Sequence, residues 1–181
     1  MNRLTAPHAL AAVIAAVGLS AAAAHAQLPG VPGLNPFSFG VEAGPAFPVG
    51  TFGNTVNTGF TADALVEARV PVLPVGIRFE GGYASFGAKS GFSSAHVVSG
   101  SVNAVLRLSP VALTLVRPYL IGGVGIYGQN RGVGTSAGVN VGGGLSVPLV
   151  AITAFADARY TRVFTSGIRT NFVPVRVGVR F

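Results

Sequence analysis

Val173-Pro174-Val175-Arg176-Val177-Gly178-Val179-Arg180-Phe181 alternates, residue by residue, between apolar side chains and Pro, Arg or Gly. Successive side chains of a strand point to opposite faces, so Val173, Val175, Val177, Val179 and Phe181 share one surface and Pro174, Arg176, Gly178 and Arg180 the other. One face is wholly oily and the other carries two arginines. The fold turns on which solvent meets the oily face.

Working back along the chain, the same period of two recurs seven times. Phe37 to Phe47 sets Phe37, Phe39, Val41, Ala43 and Phe47 against Ser38, Gly40, Glu42 and Gly44; a loop, Pro48 to Gly59, follows. Phe60 to Val70 opposes Phe60, Ala62, Ala64, Val66 and Ala68 to Thr61, Asp63, Leu65, Glu67 and Arg69. Pro71-Val72-Leu73-Pro74 forces a tight reversal, because Pro cannot donate in a ladder. Val75 to Phe86 places Val75, Ile77, Phe79 and Tyr83 opposite Gly76, Arg78, Glu80 and Gly82, before a polar loop, Gly87 to Ser94. Ala95 to Leu108 opposes Val98, Gly100, Val102, Ala104, Leu106 and Leu108 to Ser99, Ser101, Asn103, Val105 and Arg107, and Ser109-Pro110 turns it. The fifth strand, Arg117 to Gly128, has apolar residues at both parities; Leu120, Gly122, Val124 and Ile126 are assigned outward. After the loop Gln129 to Ser136, Ala137, Val139, Val141, Leu145 and Val147 oppose Gly138, Asn140, Gly142, Gly144 and Ser146. Ala151 to Thr161 sets Ile152, Ala154, Ala156, Ala158 and Tyr160 against Thr153, Phe155, Asp157, Arg159 and Thr161, and the last loop is Phe164 to Asn171.

Composition names the solvent. Charged residues make up 9% of the 181, the hydrophobic share is 50% and mean hydropathy is +0.60, whereas a soluble domain carries about 25% charged residues. No segment after residue 30 reads as a spanning helix: the long uncharged stretch from Gly132 to Ala156 is interrupted by Gly138, Gly142, Gly143, Gly144 and Pro148. Only helices and closed barrels satisfy their backbone groups in lipid. The fold class expected is therefore all-β, an eight-stranded antiparallel up-and-down transmembrane β-barrel. All five acids, Glu42, Asp63, Glu67, Glu80 and Asp157, fall on the face opposite the oily one. Arginine on the lipid side costs roughly 2–4 kcal/mol near the midplane, which gives this segregation its physical reason. A soluble barrel would show the reverse, with a polar exterior and an apolar lumen.

The chain start reads differently. Met1-Asn2-Arg3 is a short positive end, Ala9 to Ala24 an uncharged apolar run, and Ala24-His25-Ala26 a small-x-small site. Residues 1–26 are expected to be a signal peptide cut after Ala26, too short and Ala-rich for a retained span. Residues 27–36 form a Pro/Gly-rich lead-in, and the barrel occupies 37–181. With no Cys there is no lipoprotein anchor, disulfide framework or thiolate metal site.

The terminal strand resembles the closing segment of bacterial outer-membrane barrels, which ends in Phe after alternating apolar residues. The whole of Phe37 to Phe181, with Arg117-Pro118-Tyr119 and Gly122-Gly123-Val124-Gly125 in its fifth strand, resembles the small outer-membrane barrels that include the OmpA membrane domain and OmpX-like proteins. The resemblance implies location in the bacterial outer membrane and recognition of Val175, Val177, Val179 and Phe181 by the barrel-assembly machinery. Because the chain stops at the eighth strand, a peptidoglycan-binding domain like that of full OmpA is not expected. Short, Pro-bearing turns after the second, fourth and sixth strands, against longer polar loops after the odd ones, place both ends in the periplasm. The aromatic residues fit that orientation in part, with Phe60, Tyr83 and Tyr160 toward the outer interface and Phe37, Phe39 and Phe181 toward the inner.

Eight strands enclose a bore that side chains can fill. The polar network expected there is Glu42, Asp63, Glu67, Arg69, Arg78, Glu80, Asn103, Arg107, Asp157, Arg159, Arg176 and Arg180. If the Pro71–Pro74 turn pairs Val70 with Val75, Glu67 faces Arg78 across the ladder, and Asp157 and Arg176 meet likewise. The inward glycines either relieve crowding or leave room for a ligand. The reading is a monomer with a structural or surface-interaction role; the alternative is a narrow channel for ions or small solutes. A third reading, lipid-A modification, would need His96, with Ser93, Ser94 and Ser99 nearby in sequence but no acid to orient it, so no enzymatic activity is assigned. No cofactor motif or metal-ligand spacing is present. The net charge of +7 is scattered singly, which argues against nucleic acid. Partners expected are outer-membrane lipid, with Lys89, Arg131, Arg162 and Arg169 facing lipopolysaccharide phosphates, and the assembly machinery.

Overall fold

A computed structural model of the chain describes residues 37–70, 73–108, 115–130, 134–165 and 169–181. The leader with Ala24 and Ala26, the lead-in, Arg131 and the Ser109-Pro110 turn lie outside the described residues. Eight strands follow one another: β1 (Phe37–Val49), β2 (Val56–Arg69), β3 (Val75–Ala88), β4 (Ala95–Arg107), β5 (Arg117–Gln129), β6 (Gly134–Pro148), β7 (Thr153–Val163) and β8 (Thr170–Arg180). Each pairs antiparallel with the next, and β8 returns to β1, so the sheet is a closed up-and-down barrel. Closure is sealed where Phe39 and Phe181 exchange backbone hydrogen bonds of 3.0 and 2.9 Å. No open strand edge remains, the condition for strands in hydrocarbon.

The alternation sorts the wall into two faces. Outside, Val124, Ile126 and Val141 are each 62% exposed and Val177 67%, and Val41, Ile77, Val102, Leu120 and Leu145 complete an apolar belt. At the end that holds Phe37 and Phe181, these two aromatic rings are exposed; at the opposite, loop-bearing end Phe60, Tyr160 and Phe164 are. Lipid-facing barrels carry such a belt and such rims. The facing of β5 follows the parity assigned to it, with Leu120, Val124 and Ile126 outward and Tyr119, Ile121 and Tyr127 buried.

Besides the start of β6 at Gly134, inside the expected loop Gln129–Ser136, and of β7 at Thr153, three features depart from the sequence reading. The span Pro48–Gly59 is not an open loop: β1 runs on to Val49, a 3-10 turn occupies Gly50–Asn54, and β2 begins at Val56. Gly50 permits it by taking φ +61, a conformation disfavoured with a Cβ. The Thr55 amide and hydroxyl both donate to the Phe52 carbonyl at 3.0 Å, and Lys89 Nζ donates to the Gly53 carbonyl at 2.6 Å. Second, the β4–β5 connection, residues 108–116, is longer than any connection at the loop-bearing end, so loop length does not orient this barrel. Third, β7 extends two residues past Thr161, which brings Arg162 onto the outward face at the loop-bearing end. A cation there avoids most of the midplane cost.

Candidate functional site in the bore

Inward parity delivers polar groups from all eight strands to one axis. Glu67 of β2 lies directly across the ladder from Arg78 of β3, and the pair closes at 2.8 Å (Arg78 Nη2) and 2.9 Å (Arg78 Nε). Asp157 of β7 and Arg176 of β8 are likewise ladder partners, with an N–O distance of 3.4 Å. Contacts across the bore knit these pairs together. Arg159 donates to Glu80 at 2.6 Å and to Asp157 at 2.8 Å, and lies 3.4 Å from Glu42. Arg176 reaches Glu42 at 2.8 Å and Asp63 at 3.1 Å. Glu67 also pairs with Arg107 and Arg180. Asn103 donates to Glu80 at 3.0 Å and accepts from Asn140 at 2.8 Å.

Five carboxylates thus face five guanidinium groups, Arg78, Arg107, Arg159, Arg176 and Arg180, and the interior is formally neutral. All five acids are buried. Buried charge is tolerable only when paired and hydrogen-bonded, and each acid here has at least one arginine within ion-pair range. Arg69 stands apart from the network expected for it. It occupies the last β2–β3 rung, opposite Gly76, and is exposed there past the end of the wall.

Aromatic rings fill the space that the inward glycines leave. A Cβ on Gly144 would come 2.6 Å from Tyr119 Cζ, and one on Gly178 equally close to Phe155 Cζ. Tyr119 donates to Asp157 at 2.8 Å, while the Arg78 guanidinium lies 5.5 Å from the Tyr119 ring centre and 5.2 Å from that of Phe155. Crowding, not a ligand pocket, accounts for those glycines.

Toward the loop-bearing end the bore turns apolar. Phe52, carried inward by the 3-10 turn, packs edge-on against Phe86 at 5.1 Å, and Phe86 against Phe172 at 5.5 Å, within a buried cluster that includes Ala46, Val56, Val97, Tyr127 and Val163. Parity held the signal for most of this cap: Ala84 and Phe86 continue the Arg78–Glu80 column, and Phe172 continues that of Pro174 and Arg176. Phe52 had no such signal, since it lies in the turn. Between cap and network, Thr61, Ser99, Ser101, Asn140 and Thr161 help line a cavity of about 30 Å³, space for a single water. Phe52→Ala is expected to loosen the cap by about 1.5–3 kcal/mol, the transfer energy of one buried ring. Amide exchange at residues 50–55 should then rise roughly ten- to hundredfold while the barrel strands stay protected.

His96 faces outward and not into the bore. Its Nδ1 is 2.7 Å from Tyr83 Oη and 3.1 Å from Ser85 Oγ. Ser85 lies across the β3–β4 ladder from His96 and is not one of the serines near it in sequence. All five Asp and Glu side chains lie on the other side of the wall, so none of them orients this imidazole. Among the described residues no group of His, Cys, Asp or Glu has the makings of a metal site.

Comparison with solved structures decides the fold family. Neisserial surface protein A (NspA) superposes with a TM-score of 0.61 at 18% identity, over 81% of this chain and 96% of that one. It has the fold of the small outer-membrane β-barrels. The outer membrane enzyme PagL shares the fold, with a TM-score of 0.52 and 11% identity over 80% of this chain and 98% of that one. No protein-family model and no curated protein sequence matches the chain. In this chain the ionic network and the aromatic cluster lie inside the barrel.

Proposed function

We propose that this chain is an integral outer-membrane barrel whose role is structural or surface-interacting, with the loop-bearing rim outward and both ends of the barrel domain in the periplasm. The filled bore carries this reading. A neutral network of five acids and five arginines occupies the bore, capped by Phe52, Phe86 and Phe172, and the cavity between them is about 30 Å³. The channel alternative would need a continuous wet path, and the cap interrupts it. Catalysis finds no support in the Ser85–His96 contact, which lacks an acid and shares its nitrogen with Tyr83.

Purified protein in a planar bilayer is expected to show no single-channel events above baseline, and the same proteoliposomes no release of fatty acid from acylated glycolipid. Its migration on gels should shift on heating, as the compact barrel unfolds. Discrete conductance steps would favour the channel, and released fatty acid an enzyme.

A further inference from the structure

The charges of the bore are not spread evenly along its axis. Toward the end that holds Phe37 and Phe181, three arginines converge on Glu67: Arg78 from the neighbouring strand, Arg107 from the end of β4 and Arg180 from the end of β8. The last two lie flat along the wall over glycines. A Cβ on Gly76 would come 3.2 and 3.3 Å from the Arg107 guanidinium nitrogens, and one on Gly40 would come 2.8 Å from Arg180 Cγ. Glu42, Asp63, Glu80 and Asp157 lie deeper, with Arg159 and Arg176. Arg78 leans toward this layer too, 3.6 Å from both Glu80 and Asp157. With Arg78 counted on that side, Glu67 balances only one of Arg107 and Arg180.

Two further arginines stand at the same mouth. Arg69 ends β2 on the inward parity of Asp63 and Glu67, opposite Gly76, the glycine that the Arg107 guanidinium covers. The two cations are therefore neighbours, and the charge of Arg69 bears on Arg107. Arg117 begins β5 two residues before Tyr119, the ladder partner of Arg107. Arg69 and Arg117 are exposed, and 23% of the Arg107 side chain is. The connections at this end, residues 70–74, 108–116 and 149–152, contain no Asp or Glu. Four arginines, Arg69, Arg107, Arg117 and Arg180, thus face the one carboxylate side chain of Glu67. The Phe181 carboxylate accepts from the Phe39 amide at 3.0 Å, and with its charge counted the cations still exceed the anions. A low-dielectric cylinder focuses the field of such an excess at its opening.

We propose that this mouth of the bore binds a soluble phosphate dianion, free or as a phosphomonoester, between the guanidinium forks of Arg69 and Arg107, with Arg117 adding its field. Neighbouring forks match the oxygens of a doubly charged phosphate. Inward parity aims Arg69 and Arg107 at the bore and not at the surrounding headgroups, which selects a soluble ligand over a lipid. The periplasmic source of that ligand rests on the orientation given above; the binding itself does not.

The test is a phosphorus NMR titration of the full-length protein in maltoside micelles with inorganic phosphate, with chloride holding ionic strength constant, at about pH 8, where the ligand is a dianion. Wild type should saturate. Arg69→Gln should weaken binding about tenfold, the loss of one charge-assisted contact, and Arg69→Lys should recover part of it. Arg162→Gln, at the far end of the barrel, should leave it unchanged. Absence of saturation, or equal weakening by Arg69→Gln and Arg162→Gln, would overturn the proposal. Tighter binding of malonate than of phosphate would overturn the phosphate class. Competition from phosphatidylglycerol nanodiscs but not from phosphatidylcholine ones would assign the cluster to a headgroup and overturn the soluble ligand. Arg69→Cys, in a chain without Cys, separates the site from the orientation: an impermeant maleimide should label it only after the outer membrane of expressing cells is permeabilised. Labelling of intact cells would overturn the periplasmic source and leave the micelle titration standing, whereas the expected labelling with no saturation removes only this inference.

Discussion

Arg159→Met is expected to destabilise the folded barrel by about 3–5 kcal/mol, the usual cost of removing one partner from a buried ionic network. Arg159 is 2% exposed and lies among Glu80, Asp157 and Glu42. Without it all three carboxylates keep their burial, Glu80 and Asp157 lose their closest cation, and Glu42 keeps Arg176 at 2.8 Å. The measurement is urea unfolding in phosphatidylcholine vesicles, where the midpoint should fall without a change in slope. Adding Glu80→Gln restores formal neutrality. The double variant should therefore lose less than the sum of its parts, by about 1–3 kcal/mol of coupling. A loss under 1 kcal/mol for Arg159→Met would show that the network does not hold the bore together.

Val124→Arg tests the opposite face. Val124 is 62% exposed on the outer wall, between Val102 of β4 and Val139 of β6. If hydrocarbon covers it, arginine there should cost about 2–4 kcal/mol in vesicles. The control is Val150→Arg, at a fully exposed residue in the β6–β7 turn, which should change stability by no more than about 0.5 kcal/mol. If both variants behave alike, the belt does not face lipid, and the membrane placement fails with it.

The wall was legible in the sequence because its information is local. Ile77, Arg78, Phe79 and Glu80 alternate between two solvents of opposite polarity, and a one-residue slip would send both charges into the oily layer. Pairing across a short turn was legible for the same reason: a tight turn sets the register, and register puts Glu67 opposite Arg78. Contacts across the diameter were not. Arg159 meets Glu80, 79 positions away in the chain, through barrel girth and strand stagger, which no single segment encodes. Arg69 shows the limit of parity, which gives the side of the wall but not the height at which the wall ends. Phe52 shows another limit. Its stretch has turn composition, and burial there comes from three strands that converge on it after closure. The boundary of β7 mattered most for the outside, since two further residues carried Arg162 from beyond the expected strand end onto the wall.

The ladder between β1 and β8 joins the first strand of the barrel to its last. The final strand also brings Arg176 and Arg180, two of the five internal cations. A chain that ends prematurely, before Thr170, would hold Glu42, Asp63, Glu67, Glu80 and Asp157 against only Arg78, Arg107 and Arg159, and would expose two raw sheet edges as well. Electroneutrality and edge closure therefore arrive together with β8. Sealing the cylinder and balancing its interior are thereby one event, and a product cut short of this strand has neither to offer.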